Sequence, residues 1–249
     1  MLMLNSWAIG LMLGVYVAGD SGGYLNPAVT LTNCLFRKLP WRRFPIYFLA
    51  QFLGGFIGAG VVYANYVSAI DNYEGHGVRT VPPSPTATAG IFATYPQGFL
   101  PIASMFFSEF IGSAILMFVI FALKDESNIG AGKLFPLGLF FLMFGLGACF
   151  GFETGYALNF ARDFGPRLMT YALGYGGEVW SANRYYFWVR YNIMGPSVAH
   201  LNRHRTMLIV KISGPYDCPF SRLYLWRFPL RHIHLYRRKL SQYLHLNLY

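Results

Sequence analysis

Four long uncharged runs dominate the pattern of hydrophobic and polar positions along this 249-residue chain. An α-helix of about 20 apolar residues crosses the hydrocarbon core of a bilayer, so each run predicts a transmembrane helix. With 55% hydrophobic and 12% charged residues, the chain is too apolar for an ordinary soluble domain, and we expect an integral membrane protein. The runs lie at residues 1–19, 44–69, 101–123 and 134–152, and only Glu109 interrupts them with a charge.

The segments between the runs indicate the orientation in the membrane. A short connection after the first run carries Arg37, Lys38, Arg42 and Arg43, and the positive-inside rule places it in the cytoplasm. Residues 71–100 are polar and rich in turn-forming residues, so they predict a long extracellular loop.

A short motif occurs twice, at residues 23–30 and again in altered form at residues 155–163. Asn26 and Asn159 occupy matching places, and each follows an uncharged run. Asparagine is a favoured helix N-cap, and Pro27 suits the first helical position. The motif therefore predicts a short helix that begins inside the membrane, and its two copies predict two half-structures.

The paired motifs, together with Ala-Arg-Asp-Phe-Gly-Pro at residues 161–166, resemble the aquaporin superfamily of major intrinsic proteins and its glycerol-conducting branch. The resemblance covers roughly residues 6–189. It implies an all-α transmembrane fold, an inverted repeat of helices with two re-entrant half-helices. Because the family has six spans, we expect this chain to lack the first span and most of the sixth. The resemblance also implies a homotetramer in which each subunit has its own pore.

The tips of the two half-helices are expected to form the centre of the pore. Each tip presents unpaired N–H groups and the positive end of a helix dipole, so two facing tips repel cations. We expect Asn26 and Asn159 to aim side-chain NH₂ groups at an oxygen of the permeating molecule. Phe160 stands where the family usually has proline, and we expect its bulk to alter packing or conductance where the two halves meet. The motif partners of the two asparagines are Pro27, Ala28, Phe160 and Ala161.

The resemblance also implies a selectivity filter of four residues: Trp7, Gly147, Tyr156 and Arg162. The guanidinium of Arg162 can donate to two hydroxyls at once. Strict water channels usually place histidine at the position of Gly147, so the missing side chain is expected to widen the constriction. Trp7 and Tyr156 are expected to form an apolar corner for the C–H face of glycerol. Two alternatives stay open, an interfacial anchor for Trp7 and a headgroup-facing side chain for Arg162.

Further positions are assigned supporting roles. A carboxylate at membrane depth needs donors, and the resemblance implies that Glu109 holds backbone N–H groups of the second re-entrant loop; a proton-relay role is the alternative. Asp163 agrees with the glycerol branch, which carries aspartate after the arginine. Gly54 and Gly58 predict a helix face suited to close packing.

The net charge of +10 belongs to the C-terminal end of the chain. Ten basic and nine acidic residues precede Arg190, whereas ten basic residues and one acid lie from there to the end. We therefore divide the chain into a channel domain at residues 1–189 and a basic tail at residues 190–249, which we expect to be disordered or aberrant.

The sequence predicts a channel for facilitated diffusion of glycerol, small neutral polyols and water. We expect no enzyme activity and no cofactor. We also expect no metal site, because the cysteines and histidines lack the spacing of metal ligands. The expected partners are the permeating solutes, the lipid bilayer and further copies of the chain, without nucleic acid, and the expected location is the plasma membrane. The alternative is a truncated membrane fragment of this family that conducts nothing.

Overall fold

A computed structural model describes residues 2–182 of the chain. By its contacts the chain divides into two units, Met1–Tyr191 and Asn192–Tyr249. The predicted tail at residues 190–249 and the expected start of a sixth span at residues 185–189 lie outside the described residues.

The described part of the chain contains six α-helices between residues 2 and 170, further helical residues at 178–182, and no strand. Three of its helical segments, containing α3, α4 and α5, are long and apolar enough to cross a membrane. The first predicted span is present as a shorter apolar helix of 16 residues. The helices are α1 at Leu2–Val17, α2 at Pro27–Phe36, α3 at Phe44–Glu74, α4 at Ile102–Leu123, α5 at Phe135–Thr154 and α6 at Phe160–Thr170, which continues into a short π-helical turn at Tyr171–Tyr175.

The two short helices, α2 and α6, begin in the same way. Asn26 caps α2 with φ −149° and ψ 123°, and Asn159 caps α6 with φ −148° and ψ 118°. The preceding residues, Leu25 and Leu158, both have positive φ, at 51° and 47°. Positive φ is uncommon outside glycine, so its occurrence at matching places shows that the two motifs share one loop conformation.

Close backbone contact joins α6 to α3. A Cβ atom at Gly55 of α3 would lie 2.5 Å from the carbonyl oxygen of Ala161, and one at Gly165 of α6 would lie 2.8 Å from the carbonyl oxygen of Phe52. Real side chains do not approach backbone atoms this closely. Glycine at both positions is therefore what lets α6 lie directly against the longest helix.

The prediction that Gly54 and Gly58 form a close-packing face is wrong for the described residues. A Cβ atom at either position would meet no other atom within 4 Å, whereas Gly55 contacts α6. Successive residues point about 100° apart around a helix, so the packed face lies one residue away from the predicted one.

The second re-entrant loop, residues 155–159, is held in a core made by α1, α2, α4 and α5. The side chains of Tyr156 and Leu158 belong to the same buried cluster as residues from these helices. This cluster fixes the loop that leads to Asn159. The buried helix residues that form it with the loop are Val15, Val29, Leu116, Ile120, Leu139 and Leu146.

Candidate pore and selectivity filter

The two asparagines join the two re-entrant loops by reciprocal hydrogen bonds. The side-chain Nδ2 of Asn26 donates to the carbonyl oxygen of Leu158 at 3.0 Å, and that of Asn159 donates to the carbonyl oxygen of Leu25 at 2.9 Å. The tips of α2 and α6 therefore meet. An amide NH₂ has two N–H bonds, so each asparagine uses one to hold the opposite loop and has a second. The sequence indicated the caps but not this exchange between halves.

The same two side chains cap their own helices. Asn26 Oδ1 accepts from the N–H of Ala28 at 2.9 Å. Asn159 Oδ1 accepts from the N–H groups of Ala161 at 2.9 Å and Arg162 at 3.2 Å. Because each amide is held at both its oxygen and its nitrogen, its orientation toward the space between the helices is fixed.

The first residues of the two half-helices differ, as their sequences require. Pro27 is buried at the first position of α2 and supplies a preset φ. Phe160 takes that position in α6, and its ring stacks on Phe48 of α3 at 5.4 Å and on Phe164 at 4.9 Å between ring centroids. The bulk of Phe160 is thus accommodated in the contact between α6 and α3.

Two cavities meet beside the asparagine junction. The smaller, about 220 Å³, is lined by both asparagines, and the larger, about 720 Å³, extends along α3. Trp7, Tyr24, Asn159 and Arg162 line both cavities, so these residues lie at the boundary between them.

Three of the four predicted filter residues are brought together at these cavities. The Arg162 guanidinium carbon lies 4.4 Å from the centre of the Trp7 ring, a cation–π contact. Tyr156 is 8% exposed and lines the smaller cavity with them. Gly147 is buried within α5, and it is not among the residues that line either cavity. The role of the four residues in selectivity stays a prediction.

Glu109 lies beneath the second re-entrant loop and is 1% exposed. Its Oε1 accepts from the hydroxyl of Thr154 at 2.7 Å and from the N–H of Ala157 at 3.0 Å, and its Oε2 accepts from the N–H of Leu158 at 3.0 Å. Both carboxylate oxygens are engaged with the loop, which is the arrangement that a scaffold requires.

Sequence reasoning missed Arg167, which accompanies Asp163. The two side chains are 3% and 0% exposed, and Arg167 Nη2 lies 3.2 Å from Asp163 Oδ1. Their spacing of four residues along a helix was a usable signal for an ion pair. The guanidinium of Arg167 also lies over the ring of Tyr95, at 4.6 Å, and burial of that ring raises the pKa of Tyr95 to about 12.

Lys124, at the end of α4, was also missed. It lines the smaller cavity, and its Nζ lies 5.3 Å from the ring centre of Tyr24 and 4.7 Å from that of Phe135. Burial lowers the pKa of Lys124, and the nearby charge of Arg37 lowers it further. Nothing in the sequence distinguished this lysine from an ordinary residue of the connection between α4 and α5.

Residues 2–201 match the family model described as major intrinsic protein. The chain belongs to this family.

Its relatives include aquaglyceroporins. The chain is 68% identical over 184 residues to a probable aquaglyceroporin-2 of Gibberella zeae, a match that covers 74% of the chain and 54% of the relative. It is 65% identical to aquaglyceroporin-9 of Botryotinia fuckeliana, with 74% and 40% covered. The chain therefore spans about half the length, or less, of these two curated relatives.

A solved structure supports the same fold. The X-ray structure of the aquaglyceroporin from Plasmodium falciparum superposes with a TM-score of 0.64 at 30% sequence identity, covering 75% of this chain and 73% of that one. The predicted resemblance to the aquaporin superfamily and the all-α aquaporin-like fold are confirmed. As a member of the major intrinsic protein family with three apolar helices of spanning length in its described part, the chain is an integral membrane protein.

Proposed function

We propose that this chain forms a channel for facilitated diffusion of glycerol, small neutral polyols and water. The observation that carries the proposal is the reciprocal junction of Asn26 with Leu158 and of Asn159 with Leu25, beside Arg162 at the boundary of two cavities. The relatives named aquaglyceroporin support the same solute class.

The residues around the junction suit an amphipathic neutral solute. Arg162 offers guanidinium donors to hydroxyl groups, and the part of the Trp7 ring that Arg162 leaves uncovered offers an apolar surface to C–H groups. Neither cavity is lined by a carboxylate among the described residues, and the positive ends of two helices meet between them. A cation thus meets the guanidinium of Arg162 and two helix ends of its own sign without a carboxylate to balance them, whereas a polyol exchanges hydrogen bonds with water for hydrogen bonds with the wall.

The proposal includes a plasma-membrane location, a homotetramer and passage of solute without covalent chemistry. Support for a lipid or subunit contact comes from α3, which exposes Ile57 and Val61 at 59% and 64%. Apolar side chains exposed to this extent along one helix fit a hydrocarbon or protein environment rather than water.

A second candidate is a family member that inserts in the membrane and conducts nothing. The larger cavity favours this candidate, because its volume of about 720 Å³ along α3 is more than three times that of the smaller cavity, more space than a single file of small solutes needs.

Osmotic swelling distinguishes the two candidates. The 249-residue chain is reconstituted in liposomes, and glycerol entry is followed by light scattering after mixing with hyperosmotic glycerol. We expect faster swelling than in protein-free liposomes and expect the gain to be lost in Arg162→Ala. Equal swelling with and without the protein would reject the channel for this chain and favour the non-conducting candidate.

A further inference from the structure

Arg162 and Asp163 are neighbours on α6 that face different surroundings. Arg162 lines the cavities, whereas Asp163 is completely buried and lines neither cavity. Since adjacent residues point about 100° apart around a helix, any contact that fixes the direction of Asp163 also fixes the direction of Arg162.

Asp163 is held by one residue of the loop between α3 and α4. Its Oδ1 accepts from the backbone N–H of Thr94 at 2.8 Å and from the Thr94 hydroxyl at 2.6 Å. A buried carboxylate without donors is costly, so a rotation of α6 that broke these bonds is strongly disfavoured.

Arg167 completes the contact from the next turn of α6. Its Nη2 donates to the carbonyl oxygen of Thr94 at 2.6 Å, and its Nη1 donates to the carbonyl oxygen of Val179 at 2.6 Å. All three polar groups of Thr94, its N–H, its hydroxyl and its carbonyl, are therefore bonded to two side chains of one half-helix.

The loop that carries Thr94 is itself anchored elsewhere. The N–H of Gln97 donates to the carbonyl oxygen of Glu153 of α5 at 2.9 Å, and the N–H of Thr88 donates to the carboxylate of Glu74, the last residue of α3, at 2.9 Å. Phe92 of this loop lines the larger cavity together with Arg162. The loop therefore forms part of the wall that Arg162 faces, and it is bonded to α3 and α5 as well as to α6.

We infer that Thr94, Asp163 and Arg167 form a loop clamp that positions Arg162 and so determines the selectivity of the pore from outside it. In this arrangement Thr94 and Asp163 are positioning residues, since neither lines a cavity. The inference rests on the proposed function, because Arg162 is taken to bind the permeating polyol.

Two substitutions at Thr94 test the clamp. Thr94→Val keeps the shape of the side chain and removes the hydroxyl donor, whereas Thr94→Ser keeps the donor. We expect Thr94→Val to lower the ratio of glycerol to water permeability about tenfold, the scale of one hydrogen bond to a charged group. Thr94→Ser is expected to keep the ratio. A loss of folded protein alone lowers both fluxes together and leaves the ratio unchanged.

Hydrogen–deuterium exchange on the same reconstituted proteins separates the clamp from the channel. We expect the backbone amides of residues 88–97 to exchange about tenfold faster in Thr94→Val than in Thr94→Ser or the unsubstituted chain. Unchanged exchange would overturn the clamp. Faster exchange with an unchanged permeability ratio would overturn the positioning of Arg162. If the unsubstituted chain passes no glycerol, the proposed function fails, and the exchange result still decides the clamp.

Discussion

Replacing Glu109 by glutamine is the sharpest perturbation of the second re-entrant loop. The carboxylate accepts hydrogen bonds from Thr154, Ala157 and Leu158 through both of its oxygens. Glutamine has nearly the same shape, but its NH₂ group cannot accept. In either orientation of the amide, at least one of the three donors loses its acceptor and faces another donor. Since a hydrogen bond to a charged group contributes about 1.5–3 kcal/mol, we expect Glu109→Gln to lower the free energy of unfolding by about 2–3 kcal/mol.

The measurement is denaturant unfolding of the detergent-solubilised protein. The matched control is Glu126→Gln, an exposed residue of the connection between α4 and α5, which is expected to change the free energy of unfolding by less than about 0.5 kcal/mol. Glycerol permeability should also fall in Glu109→Gln, because the carbonyl of Leu158 holds Asn26. If Glu109→Gln unfolds within about 0.5 kcal/mol of the unsubstituted chain, the carboxylate does not scaffold the loop.

Three further predictions concern α3, the loop between α3 and α4, and α6. Gly55→Ala should destabilise the protein by about 1–3 kcal/mol or more, because the new Cβ would meet α6, whereas Gly54→Ala should stabilise α3 by up to about 1 kcal/mol. Thermal unfolding of both variants measures the difference, and equal effects would contradict the packing of α6 on Gly55. Burial raises the pKa of Tyr95 to about 12, so the stability of the unsubstituted chain falls as the pH rises from about 10 to about 12, and Tyr95→Phe lacks this fall. The unfolding temperature of Tyr95→Phe relative to the unsubstituted chain should therefore rise from pH 8 to pH 11, and parallel pH profiles would refute it. Phe160→Ala should lower the unfolding temperature, because it removes the ring contacts with Phe48 of α3 and Phe164 of α6, and Phe160→Leu should recover part of the loss. An unchanged unfolding temperature in Phe160→Ala would show that these ring contacts contribute little to stability.

The apolar helices, the two half-helices and the residues of the junction could be predicted from the sequence. Uncharged runs are rare outside membranes, and Asn26 and Asn159 follow such runs in a repeated context, so the half-helices and their caps could be predicted. Whether an asparagine side-chain oxygen caps its own helix depends only on neighbouring residues in the sequence. The partner of its NH₂ group depends on which loop lies opposite, so the bonds to Leu158 and Leu25 could not be predicted.

The errors and omissions share this cause. A spacing of four residues showed that Gly54 and Gly58 share a face, but it did not show whether another helix lies on that face. The loop that carries Thr94 has about 30 residues with no periodic pattern, so its contact with Asp163 had no signal in the sequence. The ion pair of Arg167 with Asp163 could have been predicted, because a basic residue four positions after an acidic one on a predicted helix is a recognised pairing.

The most direct test of the channel itself measures glycerol and proton movement in the same vesicles. Liposomes that contain the purified 249-residue chain and an internal pH-sensitive dye are mixed with glycerol and exposed to a pH step. If the tips of α2 and α6 meet in a conduit beside Arg162, glycerol enters faster than into protein-free liposomes while the proton leak stays the same as in protein-free liposomes. Glycerol entry at the protein-free rate, or entry accompanied by a proton leak, would contradict a pore lined by the two asparagines.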